Sequence, residues 1–464
     1  MINFETKSGN EYVYCSESGV IYPKKVYNRR FNAIKEFEKN LINERKKNYT
    51  EKNTSEELRT NVLRYGLQEL LLEVTQNCNL QCRYCIYSEV YPMYRNNTLR
   101  AMNEDIAIKA IDLYFSLLRE GISYNPYREP TIGFYGGEPL LNFELIKKCI
   151  KYVKIKYKEF NPHFTITTNG TLLSSKIASF LVQNNCSLIV SLDGPKEEHD
   201  RNRIFPNGKG SHDIIMKRLN NLKKFYPDLP VFSIAVYDWK TDFDKVNEFF
   251  ARKDVPSLIK ANLVDAKGTY YEQFNKEDFE TFKEKIKKME YYNAEVLSTN
   301  EKNNLSLYSH YFSGQVVESY GRYIGKYRNN YIPYTGACMP GFKMFVDCDG
   351  IIHVCEKVAG ELSIIGEVKN GLDYSKIEKI IKRFRAATFF CESCDIENLC
   401  TMCYVFFIKG DKMEHPHHIC ENMKKEMLSL FPYLWTIAEK DNKVFSHISD
   451  NFFNLESKIG RELL

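Results

Sequence analysis

Three cysteines stand in the run Cys78-Asn79-Leu80-Gln81-Cys82-Arg83-Tyr84-Cys85. Thiolates are the soft ligands that iron–sulfur clusters and zinc select. A C-x-x-x-C-x-x-C spacing with no fourth cysteine close by leaves a cubane cluster one iron short of full cysteine ligation. An iron with an open position can bind and reduce a small molecule, whereas a closed four-cysteine site serves electron transfer or structure. The aromatic Tyr84 stands just before the third cysteine. The apolar segment Leu70-Leu71-Leu72-Glu73-Val74 leads into the run and predicts a buried strand.

Further short motifs follow at regular intervals. Gly136-Gly137-Glu138-Pro139 combines two glycines, which let backbone approach a ligand closely, with a carboxylate suited to an ammonium group. Thr167-Thr168-Asn169-Gly170 and Ser191-Leu192-Asp193-Gly194-Pro195 come next, then His199-Asp200-Arg201-Asn202-Arg203. The elements that must position them are strands predicted at 70–77, 131–135, 164–168, 188–192, 231–236 and 258–264, with helical patterns between. Asn103 is placed to cap one helix, whose predicted apolar face is Ile106, Ala110, Leu113 and Leu117. Cys149 falls in a helical i, i+4, i+8 apolar series with Leu145 and Val153 and is expected in the core. Six strand–helix units predict an α/β fold with a parallel sheet, curved into a partial (β/α)6 barrel. Each motif then falls at a strand's C-terminal end, where such barrels place their chemistry.

Taken together, the cysteine run and the Gly-Gly-Glu-Pro segment one strand later resemble the signature of the radical S-adenosylmethionine (radical SAM) enzymes. The resemblance implies that Cys78, Cys82 and Cys85 hold a [4Fe–4S] cluster whose fourth iron is chelated by the methionine end of SAM. Reductive cleavage of SAM then yields a 5′-deoxyadenosyl radical that abstracts hydrogen. It also implies cofactor contacts from Gly136, Gly137, Glu138 and Pro139 to the SAM amino group, from Asn169 and Ser191 in neighbouring strands, and from Tyr84 near the adenine. Asp193 has the alternative of capping its loop. Arg203 is left between a carboxylate contact and a surface ion pair.

Cysteines return near the C-terminus, in the order Cys338, Cys355, Cys391, Cys394, Cys400, Cys403 and Cys420. The pattern C…G-x-x-x-x-C…C-x-x-C-x5-C-x-x-C…C resembles the SPASM extension, which carries two auxiliary iron–sulfur clusters. One departure is the two-residue gap, Thr401-Met402, where that family usually has three. By this resemblance Cys391, Cys394, Cys400 and Cys420 hold an outer cluster, and Cys338, Cys355 and Cys403 an inner one with a ligand missing. Cys348, at the tip of the Asp347-Cys348-Asp349-Gly350 turn, does not match the family's fourth ligand, so an open inner cluster is expected. Paired C-x-x-C knuckles also suit zinc. The His415-Pro416-His417-His418 group is either a metal site or a solvated loop.

The 464 residues exceed one ordinary domain, and 43% hydrophobic with 27% charged residues is globular composition. A net charge of +5 demands neither nucleic acid nor membrane. No apolar run reaches the ~18 residues of a membrane span. A cytoplasmic setting is expected, in which 14 cysteines point to metal sites rather than disulfides. The predicted organisation is 1–65, short strands and helices resembling the winged-helix leader-recognition element of peptide maturases; 66–265, the partial barrel; 266–337, a bridge; 338–425, the SPASM region; and 426–464, a helical tail.

The resemblance implies an oxidoreductase acting on a ribosomally synthesised precursor peptide (RiPP maturation), its leader bound by the N-terminal module. The reductant would be a flavodoxin or ferredoxin, and the cofactors SAM with three [4Fe–4S] clusters. The expected product is a cysteine thioether, as in sactipeptide and ranthipeptide maturases. Alternatives are formylglycine formation, as in anaerobic sulfatase maturases, and carbon–carbon crosslinking or epimerisation. In the sulfatase maturases a carboxylate after the hairpin cysteine acts as base, which singles out Glu356 as a catalytic candidate against a structural salt bridge. A non-catalytic iron–sulfur or zinc protein is the alternative from another class.

Overall fold

A computed structural model of the chain describes residues 1–47, 54–91, 98–264, 268–297, 338–441 and 443. The N-terminal strands β1 (Ile2–Glu5), β2 (Glu11–Cys15) and β3 (Val20–Pro23) form an antiparallel sheet, followed by α1 (Lys24–Arg29), α2 (Phe31–Lys47) and α3 (Ser55–Tyr65). Thr54 and Glu57 close a reciprocal capping box on α3. Leu58, Val62 and Leu63 of that helix enter the main core rather than packing on the small sheet.

Strands β4 (Glu69–Thr75), β5 (Thr131–Gly136), β6 (His163–Thr168), β7 (Cys186–Ser191), β8 (Val231–Tyr237) and β9 (Ser257–Leu263) run parallel in that order. Between them lie α4 (Glu104–Glu120), α5 (Phe143–Lys156), α6 (Ser175–Gln183), α7 (Lys196–Asn202), α8 (His212–Phe225) and α9 (Phe243–Phe250). All six strands start and end within two residues of their predicted positions. Asn103 caps α4 by accepting from the Ile106 amide at 2.9 Å, and Cys149 is fully buried.

The buried face of α4 is Ala107, Ala110, Ile111, Tyr114 and Leu118, with Leu117 at its margin. Ile106 and Leu113, expected at its centre, are only partly buried and pack beside Gly350 and Gly371. The reason is a sheet extension that periodicity did not reveal. After α10 (Lys276–Leu297), β10 (Lys343–Val346) pairs parallel with β4. Then β11 (Ile351–His353), β12 (Ile364–Glu367) and β13 (Gly371–Leu372) continue antiparallel, giving one ten-stranded sheet. The cysteine-rich region therefore grows directly from the barrel. Of the bridge at 266–337, the described part is largely α10, and 298–337 lie outside the described residues.

Helix α11 (Tyr374–Ala387), the short hairpin of β14 (Ile408–Lys409) with β15 (Lys412–Met413), and α12 (His417–Lys440) complete the chain. The tail beyond 443 lies outside the described residues. Phe431 of α12 packs against Phe4 and Tyr14 at ring separations of 5.3 and 5.1 Å, so the small N-terminal sheet is docked on the C-terminal helix. Asn398 donates to the carbonyl of Ser16 at 2.7 Å, which ties the same sheet to the loop carrying Cys394 and Cys400.

Candidate functional site

The loop Cys78–Cys85 hangs between two fixed backbones. Gly137 and Glu138 donate amides to the carbonyls of Thr75 and Asn77, each at 2.8 Å, and Gln81 and Arg83 donate to Ile204 and Asn202 at 2.7 and 3.0 Å. Contact with the first backbone is close enough to require glycine. A Cβ on Gly136, whose φ is +137°, would fall 2.0 Å from the Thr75 oxygen, and one on Gly137 would fall 2.2 Å from the Asn77 oxygen.

Glu138 is fully buried. It accepts from the Thr168 hydroxyl and the Asn169 amide, each at 2.7 Å, and from the Leu140 amide at 3.1 Å. Burial raises its pKa to about 7 against the pull of those donors. The carboxyl thus ties the end of β5 to the end of β6. Pro139 opens the short turn Pro139–Asn142 that follows. Asn169 donates to Asn79 Oδ1 at 2.9 Å and lies 3.8 Å from Cys78 Sγ. Ser191 closes β7, half-buried.

Tyr84, Asp193 and Arg203 form a buried cluster whose partners the linear sequence left open. Tyr84 donates its hydroxyl to Asp193, and the Arg203 guanidinium lies 5.4 Å from its ring centre. Asp193 also accepts from Arg203 Nε and the Val236 amide, each at 2.9 Å, so it ties three segments together instead of capping its own loop. Arg203 is buried, not a surface partner. Burial would lower its pKa, but the Asp193 charge and its neighbours hold it well above the ordinary value. Arg203 also reaches Cys82. A second network joins Arg201 and Asn202 to Asp238 and Tyr270, which no motif marked.

The three thiols fit a cluster on chemical grounds. Burial raises them to about 11 at Cys78 and Cys85 and about 12 at Cys82, so only a strong local cation would hold them as thiolates. In the C-terminal region, Cys394, Cys400 and Cys420 are close enough to act on the Cys391 charge. Cys338, Cys355 and Cys403 act together on Tyr404, which is buried beside them. Cys348 is elsewhere: its thiol donates to the Glu73 carbonyl at 3.2 Å, and its charged neighbours are Glu73, Asp347 and Arg100. Among the described residues no three His, Cys, Asp or Glu side chains converge as around a single metal ion. The rings of His415 and His417 lie 4.3 Å apart, tilted to each other, and both pack against Phe390.

Between the two cysteine regions lies the hollow of the curved sheet. Leu70, Leu72, Met344 and Val346 face the helices, so Glu69 and Lys343, in register on β4 and β10, face inward. Lys343 contacts Glu69 at 2.8 Å and Glu356 at 3.3 Å. Burial would raise the Glu356 pKa, but Lys343 brings it below the usual value, so the candidate base is ion-paired and ionised. Tyr135 feels the charges of Glu356 and Cys85, which places it between the two regions. Tyr135 and Lys343 belong to no motif, and only alternation along the strands marks them as inward-facing.

Residues 72–242 match the sequence model of the Radical SAM superfamily. The chain is 29% identical over 230 residues to a cysteine-type anaerobic sulfatase-maturating enzyme of Clostridium novyi (strain NT), spanning 48% of this chain and 59% of that enzyme. It is 24% identical over 387 residues to the enzyme of the same name from Clostridium perfringens (strain ATCC 13124), spanning 80% and 98%. Among solved structures, native anSMEcpe with bound AdoMet superposes with a TM-score of 0.60 at 23% identity, covering 80% of this chain and 99% of that one. Streptococcus suis SuiB bound to the precursor peptide SuiA gives 0.51 at 16%, covering 79% and 78%. These two likenesses concern the fold. No described helix is long and apolar enough to cross a membrane.

Proposed function

We propose that the chain, whose residues 72–242 match the Radical SAM superfamily, is an enzyme that modifies a ribosomally made peptide, forming a thioether from a substrate cysteine. The observation that carries this reading is the incomplete inner set. Cys338, Cys355 and Cys403 share surroundings while Cys348 is held away by Glu73, which leaves a fourth ligand position for the substrate's own sulfur.

Cys78, Cys82 and Cys85 would hold the SAM-binding cluster, and Cys338, Cys355, Cys391, Cys394, Cys400, Cys403 and Cys420 two auxiliary ones. With SAM bound, the first site supplies a radical able to take hydrogen from carbon. Glu138, Asn169 and the two glycines fix the loop beside it, with Ser191 and Tyr84 at its margin. Glu356, kept ionised by Lys343, accepts the thiol proton. Tyr135 and the inward face of β9 orient the peptide between the two regions, where the sulfur and the acceptor carbon must already be close. The N-terminal sheet, docked on α12, would take the leader, and a flavodoxin or ferredoxin would supply electrons.

A second reading, oxidation of cysteine to formylglycine, is favoured by Glu356 standing directly after Cys355 and by the named activity of the clostridial relatives. Mass spectrometry of a cysteine peptide after anaerobic turnover separates the two. Loss of two hydrogens with sulfur retained supports the thioether. Release of sulfide with an aldehyde left on the peptide would replace it with formylglycine.

A further inference from the structure

Register fixes which side chains of β9 enter the hollow. Leu258 and Ala261 pair with Ser233 and Ala235 and join the core beneath the helices. Lys260 pairs with Ile234, and Asn262 with Val236, which packs with Tyr84 and Tyr270 on the inner side. Lys260 therefore points inward, from the opposite end of the sheet to Lys343 and Glu356. The charges of Lys357, Glu356 and Lys343 reach it across the gap. Lys343 already bridges both nearby carboxylates, Glu69 and Glu356. Lys260 has no hydrogen bond or ion pair among the described residues and is open to solvent within the hollow. Desolvation and then Lys357 pull its ammonium below the usual lysine range, against the opposing charge of Glu356.

We infer that Lys260 is the receptor for a carboxylate on the substrate peptide, an Asp or Glu side chain beside the reacting residue. The inference rests on the peptide-modifying reading above. An ammonium that has no ion-pair partner and faces two other lysines gains most from a ligand carboxylate, which supplies charge-assisted hydrogen bonds and removes repulsion among three lysines. A peptide carrying an amide there would leave the cation unpaired.

The test uses two fluorescein-labelled peptides identical except for Asp or Asn beside a single central Cys. Their binding to the reconstituted, SAM-loaded enzyme is followed by anisotropy. Wild type should bind the Asp peptide about tenfold more tightly. Lys260→Met should close that gap and Lys260→Arg should keep most of it. Equal binding by wild type, a gap that survives Lys260→Met, or no binding of either peptide overturns the inference. Equal binding accompanied by a shift in cluster potential in Lys260→Met would show that Lys260 only balances the cysteine thiolates. Release of 5′-deoxyadenosine, assayed separately, reports on the underlying reading: its absence from wild type sinks that reading whatever the binding shows.

Discussion

The two cysteine regions are held by different physics. The Cys78–Cys85 loop is suspended by backbone hydrogen bonds from strand ends, closed by glycine contacts at Gly136 and Gly137, and braced by the buried Tyr84–Asp193–Arg203 cluster. The C-terminal region has little regular backbone around its thiols. It is shaped by short turns at Phe389–Ser393 and Tyr404–Phe407, by Phe384 against Phe407 at 4.8 Å, and by the N-terminal sheet docked on α12. A strand-end site is prearranged by the fold itself. The C-terminal region depends on the N-terminal sheet meeting α12.

The largest expected effect separates the regions outright. Cys82→Ala should reduce 5′-deoxyadenosine formation to background while iron bound at the C-terminal cysteines persists; chromatography of the nucleoside beside an iron assay reads both. Next comes the C-terminal side. Phe431→Ala empties the ring cluster with Phe4 and Tyr14 and should cost about 3–5 kcal/mol, seen as a lowered Tm and early proteolysis of the N-terminal sheet. An unchanged Tm would mean the two ends do not support each other.

Acid should weaken the barrel side first. His163 on β6 is buried, neither ring nitrogen has a hydrogen-bond partner among the described residues, and burial lowers its pKa from 6.5 to about 4. The unfolded histidine takes up a proton through pH 6.5 and the folded one only near 4. Its contribution is therefore complete above 6.5, and about 3 kcal/mol is lost as pH falls to about 4. His163→Leu should flatten that limb in denaturation measured across pH. The smallest effect sharpens the glycine argument: Gly137→Ala displaces the Asn77 carbonyl and should slow SAM cleavage about 10²-fold while iron at the C-terminal cysteines persists.

Much of this was legible in the sequence because it is local. Apolar runs such as Leu70–Val74 fixed the strands, and the cysteine spacing with Gly136-Gly137-Glu138-Pro139 pointed to the first site. What escaped was set by partners far along the chain. The pairing of β10 with β4 joins Lys343 to Glu69 across a long intervening stretch, and four residues are too short to announce it. Tyr84, Asp193 and Arg203 each stand in a motif, but that they meet is visible only in the fold. Lys260 is an exposed residue of an edge strand, and only its register with β8 shows that it faces the hollow.

Iron content of single-cysteine variants tests the central claim, an inner set of three cysteines rather than four, most directly. Anaerobically reconstituted wild type should hold about 12 irons, the content of three cubanes, and Cys355→Ala about 8. Cys348→Ala should match wild type. A loss of about 4 irons in Cys348→Ala would close the inner set and contradict the account.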